Sequence, residues 1–545
     1  MIYIKIMKRL SDETFQLIQQ LYQPPTWLKN LWGKQETPFS LLERIEKSAE
    51  PLAIPNLLSF AIRERNEYTL AAARTVHNLL GRHSVKDLAL LDEHTRICSP
   101  YFFHFWAWND IQPDDLENLS HFQDFQVSIL GVGSFHNNGF VREKAVKELS
   151  DIFTGKELPY LLIRLNDWVP NVQEIAFAAV AARLRSDYAA YFVDCLALVV
   201  WLSKRNRIDQ GSMVGSIEEL LKTESSYPAL LNGLNSQDRY IRRACFRIAF
   251  DANAMDRTAI IERGSKDKDI LIRLWSVQKV KGIKEAEKIT YLLGIFRHDP
   301  YMPVRREALR IYIEKFPEQA LDQLRLALLD SHFLMRDEAR YQIKKRYAMD
   351  FAAFYRNSLA QGNEICSAIS GLGETGSVSD ESFILPYVHH PLTRIRRVSI
   401  KALEKINPIA NTDLFLQVLF DPSASVSREA ANALKTSKHF VNSQRLWNDL
   451  ERASQPHVKA NLLFLIADLP KWESIFYLIK AASSDNEFVS TIAYQKISYW
   501  QSHFNRSFIP PTASQKTNLL RLLADDKNPI DTNVRQGIEF FLKSM

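Results

Sequence analysis

The residues in this chain best suited to chemistry are paired arginines. In "HDPYMPVRREALRIYI", residues 298–313, Arg305 and Arg306 sit side by side just inside a helix start. A guanidinium is a planar fork that binds carboxylate or phosphate through parallel hydrogen bonds, or ties backbone carbonyls together. The two arginines therefore belong either to a binding surface or to the scaffold, and helical phase separates these uses. With Val304 as zero and about 100° per residue, +1 falls on the flank of the buried face, while +2 and +6 point away from it.

The phrase around these arginines recurs, as in "SQDRYIRRACFRIAF", "DKDILIRLWSVQKV", "LDSHFLMRDEARYQI", "HPLTRIRRVSIKAL" and "DPSASVSREAANAL". Its apolar anchors are Ile241, Ile272, Val304, Met335, Ile365, Ile395, Val426, Val458 and Val489, spaced 30 to 32 residues apart. Val141 and Val172 start two earlier units, and "NPIDTNVRQGIEFFL" holds a last one. So regular a spacing with helical periodicity predicts stacked helical hairpins, not one globular core. Four residues after the anchor stands a small residue, as at Ala145, Ala176, Cys245, Ser276, Ala308, Ala339, Ser399, Ala430 and Ala493. One turn from the anchor, it lets the paired helix approach closely.

Two arginine columns follow from this register. The +1 column, Arg142, Arg242, Arg273, Arg305, Arg336, Arg396 and Arg535, is expected to be a structural ladder bridging neighbouring loops. The +2/+6 column pairs Arg243 with Arg247, Arg306 with Arg310, and Arg397 with Lys401, and is the candidate binding surface. Leu274 with Gln278, and Asp337 with Tyr341, interrupt it. A solvated charged face would have the same pattern.

The motif D-x-x-x-x-V-R-x-x-A, matched by "HDPYMPVRREA", resembles that of the HEAT-repeat superfamily, and most of all the bacterial PBS-lyase HEAT-like repeats. The resemblance covers about 131–545 and implies an all-α fold, a right-handed α-α superhelix (HEAT-like α-solenoid). It also implies that the second helices line a concave face, with the +2/+6 column inside the curve. The sequence departs from the pattern at Gln173, Cys366, Ser427, Lys459 and Ser490, where the arginine is missing, and at Ala368, one residue out of register. Residues 180–235 fit poorly. Residues 1–130 are more aromatic and read as an N-terminal region of diverged repeats or a separately folded helical domain, with a helix pair in "LAIPNLLSFAIRERNEYTLAAARTVHNLL".

Composition is that of a packed, water-soluble protein, 46% hydrophobic and 24% charged, with a formal net charge of +6. Residues 231–350 hold 24 Lys and Arg against 17 Asp and Glu, so the basic surplus is local. The strongest apolar run, "CLALVVWL", is far short of the roughly 20 residues that span a bilayer, and the N-terminus lacks a signal-peptide pattern; the expected location is cytoplasmic. Cys98, Cys195, Cys245 and Cys366 are too scattered for a zinc site and read as core thiols. No metal or cofactor is expected.

No zincin, P-loop or nucleophile-elbow motif occurs. "GVGSFHNNGF" reads as a turn before the Val141 helix, and His389 and His390 as capping or surface residues. "FFHFWAWND" reads as core packing, with base stacking as the alternative. HEAT-like DNA glycosylases use an acidic residue among tryptophans. Asp110 near Trp106 and Trp108, or Asp167 beside Trp168, makes that enzyme a remote alternative, as is a bilin lyase. The sequence is best read as a non-catalytic scaffold holding a protein partner on its concave face. The alternative is a nucleic-acid-binding solenoid using the basic column in 231–400.

Overall fold

The computed structural model describes residues 10–22, 36–63, 68–97, 106–117, 119–204, 210–252, 255–437, 441–504, 509–525 and 530–543. Cys98, residues 102–105 of the "FFHFWAWND" stretch and the side chain of Trp106 lie outside them. Every regular element among the described residues is helical. Contacts divide the chain into two compact units, 1–298 and 299–545.

In the first unit, Ile54–Arg63 pairs with Thr69–Gly81, Gln126–Gly133 with Gly139–Ser150, and Leu158–Arg164 with Pro170–Ala181. Tyr227–Gly233 pairs with Arg239–Asp251, and Arg257–Ser265 with Ile270–Lys279. The poorly fitting stretch holds Ala189–Asp194, Leu196–Leu202 and Gln210–Leu221. Its apolar run is core, since Leu196–Leu202 packs on Val85–Ile97, Leu158–Arg164 and Arg239–Asp251.

In the second unit, Met302–Lys315 is followed by Ala320–Leu328 paired with Phe333–Arg346, and Phe351–Ala360 paired with Ile365–Thr375. Short turns over 381–387 then pack on Thr393–Ile406, and Thr412–Val418 packs on Ala424–Thr436. Three more pairs continue to Thr532–Lys543.

The anchors and small residues make the seam between hairpins. Val141, Val172, Ile272, Val304 and Val426 are fully buried, as are the +4 residues Ala145, Cys245, Ser276, Ala339 and Ala430. Ile241 and Ile365 are half-buried, although the spacing made them anchors. At Ile365 the reason is local. The register set by Ala368 puts the anchor position at Glu364, which instead caps the helix in the left-handed conformation, φ 43°. The glycines of "GVGSF" are also not a turn: Gly131 and Gly133 end a helix, and a Cβ on Gly131 would lie 2.4 Å from the Tyr160 ring.

Candidate functional site

Four rungs of the +1 column, at Arg142, Arg242, Arg305 and Arg396, each tie two loops. Arg305 binds the Asp330 carboxylate through Nε and Nη2, at 2.8 and 2.7 Å, and donates Nη1 to the carbonyls of Asp299 and Pro300. Asp330 in turn accepts from the backbone N–H of His332, and the His332 ring caps the next helix. Arg142 holds Asp167 and the carbonyls of His136 and Asn137 in the same way. Arg242 holds Asp267, Ser236 and Gln237; Arg396 holds Asp421, His390 and Pro391. Arg273 donates to the Asp267 carbonyl, and the Arg535 backbone N–H to that of Asp531. Where the arginine is missing, a shorter side chain reaches back to the preceding helix: Gln173 to the Leu165 carbonyl and Ser427 to that of Leu419.

Arg336 is the exception. The loop after it has no aspartate in register, so it binds Glu374, 38 residues on, together with Arg340. Burial alone would raise the Glu374 carboxyl, but the bonds from Arg336 and Arg340 hold it below its ordinary value. These pairs join the Phe333 helix to the Ile365 helix.

Asp167, the acid beside Trp168, is enclosed. Its carboxylate is fully buried between Arg142 and Arg164, and Arg164 also pairs with Asp92. Burial pushes this carboxyl up, and the two arginines outweigh it and lower it. An acid sealed in this way cannot reach a substrate. Asp110 is exposed, with Trp108 buried against His136. His390 accepts from the Leu392 N–H as a turn residue. Cys195 and Cys245 are buried thiols, Cys366 is half-buried, and among the described residues no cluster of His, Cys, Asp or Glu is placed to hold a metal.

The +2/+6 column, expected to project free cations, separates into two sets. Arg243 is clamped on Asp269 at 2.7 and 3.0 Å, Arg247 pairs with Glu218, and Arg310 with Glu338 at 2.8 Å. Phase gives the direction of Cα–Cβ, but an arginine stem is long enough to bend onto a neighbouring repeat. Arg306, Arg397 and Lys401 make no hydrogen bond or ion pair with the described residues. Arg397 and Lys401 are exposed, as is Arg428 at +2 of the next unit.

A cleft of about 500 Å³ lies beside Arg397 and Lys401. Val398, Ala402 and Ser370 line it, with Phe333 at the start of its own helix and Glu374 and Lys405 near the ion-paired junction. Its origin is a small residue. Counted from Ala368, Ser370 is at +6, where neighbouring units carry Arg310, Tyr341 and Lys401. The helix is also drawn in tightly: a Cβ on Gly373 would lie 2.7 Å from the Ala402 Cα, and one on Gly371 would lie 2.2 Å from the Tyr355 ring.

Apolar residues are exposed where second helices begin, an arrangement outside the sequence expectations. Phe140 (74% exposed), in the first turn of its helix, and Trp168 (66%), just before the next, mark two neighbouring helices of the first unit; Tyr240, Ile270 and Leu271 stand in first turns further along it. In the second unit the positions are held by Tyr301, Phe333, Leu334 and Leu392. The sequence signal was available one residue before the anchor, at Phe140, Tyr240, Leu271 and Leu334.

No helix among the described residues is long and apolar enough to cross a membrane. The sequence matches no protein-family model and no curated protein. Among solved structures, the chain is similar to that of Kap95p with RanGDP, at 14% identity and a TM-score of 0.36, covering 85% of this chain and 66%, just under two thirds, of that one. It is similar to importin beta at 13% identity and a TM-score of 0.29, covering 96% of this chain and 80% of that one. The S. pombe condensin Cnd3–Cnd2 subcomplex gives 14%, 0.30, 98% and 86% respectively. Likenesses this distant leave the fold to be read from the chain's own helix pairs and arginine rungs, and on these it is an all-α protein of HEAT-like helical hairpins.

Proposed function

We propose that the chain is a non-catalytic repeat scaffold that holds a protein partner against the second helices, the concave face of HEAT-like arrays. The observation that carries this reading is the recurrence of exposed aromatic and aliphatic side chains at the second-helix starts, among them Phe140, Trp168, Phe333 and Leu392. Exposed apolar side chains that recur at one place in the repeat are costly in water and suit protein contacts. A nucleic-acid reading needs free cations at successive rungs to track phosphates. Arg243, Arg247 and Arg310 are already bound to carboxylates, which favours a protein partner.

The test is affinity capture on the tagged full chain across a salt series, with and without nuclease, followed by reconstitution with the purified partner. A protein recovered in equal amount, unaffected by nuclease and lost on Phe140→Ser with Trp168→Ser or on Phe333→Ser with Leu392→Ser, is expected. Recovery that nuclease abolishes, or no stoichiometric protein at any salt concentration, would contradict the reading.

A further inference from the structure

The cleft over the Ile365 helix is charged in a way the scaffold does not use. Arg336 and Arg340 are committed to Glu374, and Lys405 reaches it only at 3.8 Å. Arg397 and Lys401 make no hydrogen bond or ion pair among the described residues. The lining holds four Lys and Arg side chains against the two carboxylates Glu374 and Glu429, so it is a net cationic recess. Part of its surface is apolar, formed by Val398, Ala402 and Phe333. Its volume suits two or three side chains, well short of a large cofactor.

We propose that this cleft receives an acidic segment of a protein partner. Arg397 and Lys401 take its carboxylates, and Val398, Ala402 and Phe333 pack an apolar residue beside them. The proposal rests on the scaffold reading and names the chemistry of the partner. Separate carboxylates suit the recess because Arg397 and Lys401 stand one helical turn apart as two single charges, each able to meet one carboxylate, beside an apolar lining. A nucleic acid suits it less, because the free cations at the recess sit on the Thr393 helix, with Arg428 beyond it, and do not run on through successive helices. On the preceding side Asp337 and the Arg310–Glu338 pair interrupt the column. Phe333 also belongs to the exposed apolar positions, so the recess lies where the two features meet.

The test uses the full chain and a fluorescein-labelled Glu-Glu-Leu-Glu-Glu peptide, with fluorescence anisotropy at low salt. The Gln-Gln-Leu-Gln-Gln peptide, a phosphoserine peptide and an oligothymidylate strand serve as competitors. Arg397→Glu with Lys401→Glu is expected to weaken peptide binding about tenfold or more. Ser370→Leu, which fills the recess without changing charge, is expected to weaken it as well, with circular dichroism unchanged. Lys284→Glu with Lys288→Glu, the same charge change on exposed residues of the first unit, is expected to leave binding within about twofold. Three results would overturn the proposal: no binding to wild type, equal loss in both charge-reversed variants, or stronger competition by the phosphoserine peptide or oligothymidylate than by the unlabelled acidic peptide. The two readings can fail separately. A captured partner that binds the Arg397→Glu, Lys401→Glu chain as tightly as wild type removes the cleft and leaves the scaffold. Peptide binding without any captured partner does the reverse.

Discussion

Replacing Arg142, Arg305 and Arg306 with alanine, one at a time, separates scaffold arginines from surface arginines and grades the scaffold by burial. Arg142 and its partner Asp167 are both fully buried. Arg142→Ala removes two bonds of 2.9 Å to the carboxylate and the donors to two carbonyls, while Asp167 keeps Arg164 and the Val169 N–H. Breaking a buried pair on one side costs about 3–5 kcal/mol, most of it the uncompensated charge. Arg305 makes the same bonds, but it and Asp330 are 11% and 13% exposed, so water can reach the orphaned groups. Its loss should cost about 1–3 kcal/mol. Arg306 is half-buried but makes no hydrogen bond or ion pair with the described residues, so Arg306→Ala should cost least, about 0.5 kcal/mol, for the packing of its stem alone. Repeat arrays need not unfold in one step, so urea unfolding is best read together with amide hydrogen exchange over 139–181 and 302–346. The expected order of cost is Arg142, Arg305, Arg306. An Arg306→Ala chain as destabilised as Arg305→Ala would refute the helical phase, and Arg142→Ala costing no more than Arg305→Ala would refute the ranking by burial.

Acid should unfold the protein from the rungs. Asp167, raised by burial and lowered further by Arg142 and Arg164, titrates in the fold below its ordinary 3.8, so its contribution is present above that value and lost as pH falls through the folded one. Urea midpoints measured against pH should drop on that limb, and the Arg142→Ala chain should start losing stability at higher pH. Burial lowers the pKa of the His136 ring, aided by the Arg142 charge and opposed by a bond to the Trp108 carbonyl, so the unfolded chain takes up the proton first. Stability should therefore also fall as pH drops below 6.5, and His136→Phe should flatten that step. Gly373→Ala forces a methyl against Ala402 and should cost about 1–3 kcal/mol in urea unfolding while weakening the acidic peptide. Burial, with the Asp194 charge, pushes the Cys245 thiol up to about 12, so native iodoacetamide labelling followed by peptide mapping should find Cys366 modified before Cys195 or Cys245.

The hairpins were legible because stacking imposes one requirement on every unit. A small residue must sit one turn after a buried anchor, and that leaves a period in the sequence. The partners of the +1 arginines were visible too, since Asp330 and Asp421 stand five residues before Met335 and Val426. The fate of Arg243 was not, because its position on the helix does not say that Asp269 lies within reach of a long flexible stem. The cleft was hidden for a related reason. Ser370 looks unremarkable in its own unit and becomes a recess only when compared with Tyr341 and Lys401 on the flanking helices. Phe333 and Trp168 read as ordinary helix-start hydrophobics until their exposure is known.

The central claim is that this chain binds a protein through its second helices, with an acidic segment in the Arg397–Lys401 cleft. Isothermal titration of the captured and purified partner into three full-length chains tests it most directly: wild type, Arg397→Glu with Lys401→Glu, and Lys284→Glu with Lys288→Glu. The account predicts a stoichiometric complex whose affinity falls about tenfold or more in the first variant and within about twofold in the second. Equal affinity for all three chains would contradict it.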